Sequence, residues 1–224
     1  MFLYPDHALV HRSLPKNKIY ANARPSRAVR DRFVSQVAEI IWRYKLSPDT
    51  IRLQARGGVE EIQVFEIALK TPELSEDVLR TIDRAIPSLL FFELTFQNRI
   101  RIAAAYKRMS EAGTNRPVVD VYFETPWQEA TVPRKPLPVA LDLASLYDQM
   151  LRQLMLASPL GVESRASESL SELVERSSRI RVKLRECQKL ELQLRKELQF
   201  NRKVEINAAL RTCRAELVGL QTVN

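Results

Sequence analysis

From Val162 to Val218 the chain contains no glycine and no proline. A stretch of that length without a breaker points to helix, because those two residues are the most costly ones inside a helix. Within it, Leu170, Leu173, Ser177, Ile180, Leu184, Cys187, Glu191, Leu194 and Leu198 follow alternating steps of three and four. That is a heptad seam, the pattern that aligns one edge of a helix against a partner. A second set, Ile206, Leu210, Cys213, Leu217 and Leu220, repeats the steps. The two sets are out of phase by an extra four residues, passing through Arg202. The offset fits a stutter in one continuous coil, or a bend at Phe200–Lys203 that folds the blocks together. Straight, the arm would reach on the order of 80 Å at ~1.5 Å per residue. Its seam must be covered by the arm itself, by the head, by a second copy in a homo-oligomer, or by another protein.

The charge is concentrated on the same stretch. Of a net charge of +8, residues 176–203 hold ten Lys/Arg against three acids. Such a balance suits an acidic partner, nucleic acid or protein, and equally a solvated helix face. Candidate contact residues there are Arg179, Lys183, Lys189, Lys196, Arg202 and Lys203. The seam candidates are Ile180, Leu184, Cys187, Leu194, Leu198, Ile206, Leu210 and Leu217. Cys187 and Cys213 both fall on the seam and read as small apolar packing residues.

Everything before the arm reads as an α+β head with a mixed β-sheet and packing helices, followed by the long helical coiled-coil arm. Pro15 and Pro25 keep the first 25 residues extended. Ser26 caps a helix to about Lys45, with Val29, Phe33, Val37, Ile40, Ile41 and Tyr44 on one stripe. Ile51–Leu53 is a short strand candidate. Val59–Lys70 is apolar on both faces, as in a strand buried on both sides. Ser75 caps a short helix with Glu76 and Asp77 in its first turn and Val78, Leu79, Ile82 and Ile86 on its stripe. Strands follow at Leu89–Phe96, Arg99–Tyr106 and Val118–Glu124, with a turn at Gln97–Asn98 and a loop at Ala112–Asn115. The first of these should lie parallel to the preceding strand and antiparallel to the next. Pro126, Pro133, Pro136 and Pro138 mark a linker, and Asp142 caps a helix from Leu143. The expected organisation is head 1–125, linker and helix 126–161, arm 162–224.

Chemistry is sparsely written. No phosphate-cradling glycine loop, dinucleotide fingerprint or nucleophile elbow occurs. His7 and His11 lie four apart between Pro5 and Pro15, too few for a metal site. No cofactor or metal is implied, and a non-catalytic role is favoured over an enzyme. Glu66, Lys70, Glu93, Asp120 and Glu124 on the strands raise a metal-dependent nuclease centre as an alternative, without the acid-x-lysine spacing that would support it. Lys16, Lys18, Arg43 and Lys45, interleaved with Tyr20, Trp42 and Tyr44, could meet phosphates and bases; the competing reading places Tyr20 and Trp42 in the core. No run approaches the ~20 apolar residues of a membrane span, and residues 1–10 lack a leader's apolar stretch. The expectation is a soluble, cytoplasmic protein.

The runs Leu14–Tyr20, Ile41–Ile51, Val59–Phe65, Thr81–Pro87 and Gln199–Asn207 resemble a prokaryotic family, domain of unknown function 4391. The resemblance implies a bacterial or archaeal protein encoded beside helicase and methyltransferase genes of restriction-like defence islands. It transfers no catalytic residues. Three functions are therefore carried forward. The first is an accessory or scaffold subunit of such a defence system, docking a larger partner, a helicase or modification enzyme, through the arm. The second is nucleic-acid binding through the arm's cations. The third is the nuclease.

Overall fold

The computed structural model describes residues 1–109 and 117–222. The chain divides into two compact units, Met1–Ala157 and Ser158–Asn224. The fold is α+β, a mixed sheet with helices in the first unit and two long helices in the second. Among the described residues no helix is long and apolar enough to cross a membrane. The loop expected at Ala112–Asn115 lies outside the described residues.

The first unit runs β1 (Phe2–Leu3), a 3-10 turn (Asp6–Ala8), β2 (Leu9–Ser13), α1 (Lys16–Ala23), α2 (Arg27–Gln36), β3 (Val37–Leu46), α3 (Pro48–Ile51) and β4 (Ile62–Leu69). It continues with α4 (Glu76–Ala85), β5 (Leu89–Phe96), β6 (Arg99–Met109), β7 (Pro117–Glu124), β8 (Gln128–Glu129), β9 (Lys135–Pro136) and α5 (Leu143–Leu156). The strands lie side by side in the order β2-β3-β4-β5-β6-β7, with β8 added to β6. β4 and β5 are parallel, joined through α4. Their outer neighbours pair antiparallel. The β5–β6 turn falls at Gln97–Asn98, with Gln97 in the left-handed region at φ 53°.

The two-faced apolar pattern of β4 has its explanation in what covers each face. Phe65, Ile67, Phe92 and Leu94 point to one side, where they meet Val78, Leu79 and Ile82 of α4, Ile19 of α1 and Phe33 of α2. Each large apolar side chain withdrawn from water there contributes roughly 1.5–3 kcal/mol. Alternation sends Phe91 to the other side. There the ring of Tyr147 on α5 sits 6.0 Å from it, and the Tyr147 hydroxyl donates to the Ala105 carbonyl at 2.8 Å.

Several local expectations are corrected. The helix expected to run to Lys45 ends at Gln36, and its second half is strand β3. Val37, Ile40, Ile41 and Tyr44 do fall at helical spacing. The segment is nevertheless a dense run of β-branched and aromatic residues, and it is flanked by two strands, β2 and β4. Pairing on both edges decides such a run, because β propensity is a matter of packing context. The extended N-terminal segment contains helix α1, and the strand candidate Ile51–Leu53 begins in the single turn of α3. The proline-rich linker is stitched down: β9 pairs with β1 and β8 with β6. α5 belongs with the sheet, so the first unit reaches Ala157 rather than ending at 125.

The second unit is a helical hairpin. α6 (Leu170–Lys196) starts at a capping box. The Glu172 amide donates to the Ser169 hydroxyl at 3.2 Å, and the Ser169 amide donates to the Glu172 carboxylate at 2.7 Å. Two otherwise unpaired first-turn donors are satisfied that way. Residues 197–199 turn the chain, and α7 (Phe200–Gln221) returns antiparallel to α6. Of the two arrangements the phase offset allowed, the chain bends, three residues ahead of Phe200.

Candidate functional site

The seam residues differ widely in burial. Ile180, Cys187 and Leu210 are buried; Leu184, Leu194, Ile206 and Leu217 are half-buried; Leu198, at the turn, is 91% exposed. Cys187, Leu210 and Cys213 form the centre of a small cluster, with Leu190, Leu194 and Leu217 against it. The cysteines are more than packing residues, because the structure joins Cys187 to Cys213 by a disulfide. The antiparallel return brings their Cα atoms to 5.9 Å, inside the span a disulfide bridges.

The open end of the hairpin is tied by Arg176, a residue that is only 4% exposed. Its guanidinium pairs with the Glu168 carboxylate at 2.6 Å and donates to the carbonyls of Leu220 (3.0 Å) and Glu163 (2.8 Å). Arg165 donates to the carbonyls of Gly219 and Thr222, and the Gln221 side chain to that of Leu160. A planar, five-donor group suits a crossing where several chain segments meet. Arg176 was counted in the sequence only as one of ten charges. No periodicity marks it, since its role depends on the hairpin closing.

Beside this clasp the two helices leave a groove of about 600 Å³, lined by Ser178, Arg179, Val182, Lys183, Glu216, Gly219 and Leu220. Val182 stands 64% exposed in its wall. Gly219 lies in the last turn of α7, and a Cβ built there meets nothing within 4 Å. Lys183 is held by Glu186 and Glu216, each at 2.7 Å, and these hydrogen bonds push its pKa up. Arg179 has no carboxylate in ion-pair reach among the described residues, and the same holds of Lys189, Lys196 and Lys203. Arg202 pairs with Glu205 at 2.7 Å on the surface, a contact worth little in water. The turn adds Leu198 and Phe200, the latter 77% exposed.

The cations picked out in the head mostly serve the head. Lys16 donates to the carbonyls of Phe33 (3.0 Å) and Val37 (2.6 Å), closing the end of α2, and burial lowers its pKa. Arg43 pairs with Glu66 and Lys45 with Glu61, both at 3.1 Å. Lys18 is exposed, without a carboxylate partner among the described residues. Tyr20 packs edge-on against Phe33, and the Trp42 ring nitrogen donates to the Tyr44 carbonyl at 3.1 Å.

The strand carboxylates do not converge. Glu66 and Glu93 sit next to each other in register on β4 and β5. Glu124 lies on the other face of the sheet with Tyr122. Each of the three has its own arginine. Arg43 holds Glu66, Arg101 holds Glu124 at 2.9 Å, and Arg134 grips the buried Glu93 through both oxygens at 2.5 and 2.9 Å. Lys70 donates to the Val34 carbonyl at 2.7 Å. Among the described residues no group of three or more His, Cys, Asp or Glu is placed to hold a metal ion. A separate ion pair is fully enclosed. Lys107 lies 2.6 Å from Asp83 and donates to the Ser88 carbonyl, while the Tyr122 hydroxyl donates to Asp83. Burial pushes the Asp83 and Tyr122 pKa values up. With both charged side chains sealed from solvent, this network is a device of the core.

A family model, Domain of unknown function (DUF4391), matches residues 2–217. The chain belongs to that family. Comparisons with curated proteins and with solved structures find no match. The match runs from β1 into the last turns of α7, so the hairpin is part of the DUF4391 domain rather than an appendage to it.

Proposed function

We propose that this DUF4391 protein is a non-catalytic accessory subunit that docks a larger protein through its C-terminal hairpin. The observation that carries the reading is the groove between α6 and α7, open at Gly219, apolar at Val182 and Leu220, and rimmed by Arg179 and Lys183. Its volume of about 600 Å³ is in the range that accepts a projecting group of a partner. The complement is an apolar side chain beside carboxylates, matched to ten cations against three acids over residues 176–203. The resemblance to a defence-island family supplies the partner class, a helicase or modification enzyme of a restriction-like system.

The test is a paired co-purification from the native host, comparing the wild-type chain with Gly219→Leu. A Cβ at this position meets nothing within 4 Å and leucine favours helix over glycine, so helicity should be retained while the groove is filled. A helicase or methyltransferase recovered with wild type and lost with the variant is the expected result. The same partners recovered with both would remove the groove from the account. The unpaired cations Lys189, Lys196 and Lys203 also favour a second reading, duplex binding by the arm. In that case log affinity should fall with log salt at a slope near −0.9 per phosphate contacted.

A further inference from the structure

A second concavity lies wholly within the first unit, where the start of β4 meets β2, β3, α1 and the end of α4. It encloses about 220 Å³. Trp42 and Phe65 lie on adjacent strands in register, with ring centroids 6.3 Å apart and planes 17° from parallel. Together with Leu14 and Ile86 they give the cleft an apolar, aromatic lining. The Trp42 ring nitrogen is already occupied by the Tyr44 carbonyl, so this indole offers a face and no donor.

The polar wall is Gln63, only 8% exposed. Its amide nitrogen donates to the Glu61 carboxylate and to the Ser88 hydroxyl at 3.1 Å. Burial raises the Glu61 pKa, but hydrogen bonds from Ser88, Gln63 and Lys45 outweigh it and hold the carboxyl below its ordinary value. An ionised carboxylate only accepts. The orientation of the Gln63 amide is therefore set, and its oxygen is the free end. That oxygen takes no hydrogen bond from any described residue. The residue is buried but this oxygen is not among the polar atoms sealed from solvent, so it is open to a ligand that offers an N–H. Arg12, paired in register with Trp42, and Lys18 of α1 complete the lining. Both are exposed, and neither has a carboxylate in ion-pair reach among the described residues.

An aromatic lining, an acceptor left open at the wall and two free cations form a consistent set. We propose that this cleft binds a nucleotide. The base lies against the half-buried Trp42, with the buried Phe65 beneath as floor, and donates an N–H from its edge to the Gln63 oxygen, while the phosphate meets Arg12 and Lys18. Size supports this division of labour. At about 220 Å³ the cleft falls below the ~300–1,000 Å³ of sites that enclose a whole small ligand. It accommodates a base and leaves sugar and phosphate at the mouth, where the cations are. The phosphate can belong to a free nucleotide or to the end of a single strand, which offer the same chemistry.

The full chain would be titrated at low salt with AMP, GMP, CMP and UMP, with the parent nucleosides, and with an eight-nucleotide single strand. Calorimetry reads binding, and tryptophan fluorescence reads stacking. Saturable binding of at least one nucleotide is expected. Its nucleoside should bind at least tenfold more weakly. Arg12→Ala with Lys18→Ala, two exposed positions that leave the fold intact, should weaken the nucleotide about tenfold per cation. A single strand binding at least tenfold tighter than any mononucleotide would assign the site to strand ends, and the reverse would assign it to free nucleotide. No saturable binding by either class overturns the proposal, as does wild-type affinity in the double variant.

Discussion

The head and the hairpin treat charge in opposite ways. In the head, charges that enter the sheet are matched one to one: Lys107 with Asp83, Arg134 with Glu93, Arg43 with Glu66. On the hairpin the cations outnumber their carboxylates, and Arg179, Lys189, Lys196 and Lys203 stand without one among the described residues. Apolar burial divides the same way. The head has a continuous layer of Phe, Ile, Leu and Val between the sheet and α4. The hairpin has a cluster centred on Cys187, Leu210 and Cys213, and leaves Leu198, Phe200 and Val204 in solvent. A sheet covered on both faces completes its own core. Two helices side by side bury less, so the hairpin adds a clasp and a disulfide.

The largest effects should come from breaking one enclosed ion pair in each region. Lys107→Met in the head and Arg176→Met in the hairpin should each cost about 3–5 kcal/mol, because a buried carboxylate loses its cation. Urea unfolding gives the size, and native-state hydrogen exchange gives the place. The first should lower protection across β4 to β7, the second only across α6 and α7. Loss of sheet protection in Arg176→Met would mean that the contrast between the regions is not one of separate stabilities. Adding Asp83→Asn to Lys107→Met should recover most of the loss, since burial disfavours the Asp83 charge.

Next in size is the disulfide. Its cysteines are 26 residues apart, and closing a loop of that order stabilises by roughly 3 kcal/mol. Reduction, or Cys187→Ser with Cys213→Ser, should lower hairpin protection by that amount with the sheet unchanged. Equal protection in both redox states would show that the clasp and the small apolar cluster suffice.

Gly219→Ala should act in the other direction. The site has a free Cβ position and no positive φ, so the hairpin should gain up to about 1 kcal/mol from helix propensity. A loss of stability would show that the end of α7 needs the glycine. The smallest effect belongs to Glu61. Its pKa is depressed below the ordinary 4.5, so its contribution is present above that value and is lost as pH falls through the folded one. Glu61→Gln should flatten the acid limb of the head's stability by less than about 1 kcal/mol, because its lysine partner is partly solvated.

Much of the head was legible because its strongest elements are locally consistent. β5 lies where its apolar run places it, α4 carries acids in its first turn, and α5 follows the Asp142 cap. β3 was misread because its apolar residues satisfy two periods, and only the strands on either side select one. For the candidate sites, Arg179 and Lys183 were picked out by charge density, and both line the groove. Gly219, which opens it, was seen only as the end of a glycine-free stretch. Lys18 and Trp42 were noticed as a cation and an aromatic. Arg12 and Gln63 were not, although a glutamine inside an apolar strand is a signal that can be sought.

The sequence by itself determined the helices of the tail, the parallel β4–β5 unit and the concentration of positive charge on one stretch. These follow from breaker spacing, apolar period and residue type, which act over a few neighbours. Tertiary structure alone decided that the tail bends at 197–199, that Cys187 meets Cys213, that Arg134 leaves a proline-rich segment to pair with Glu93, and that Gln63 lines a cleft beside Trp42. Each of these depends on groups far apart in the chain, and their geometry exists only once the sheet and the hairpin have closed.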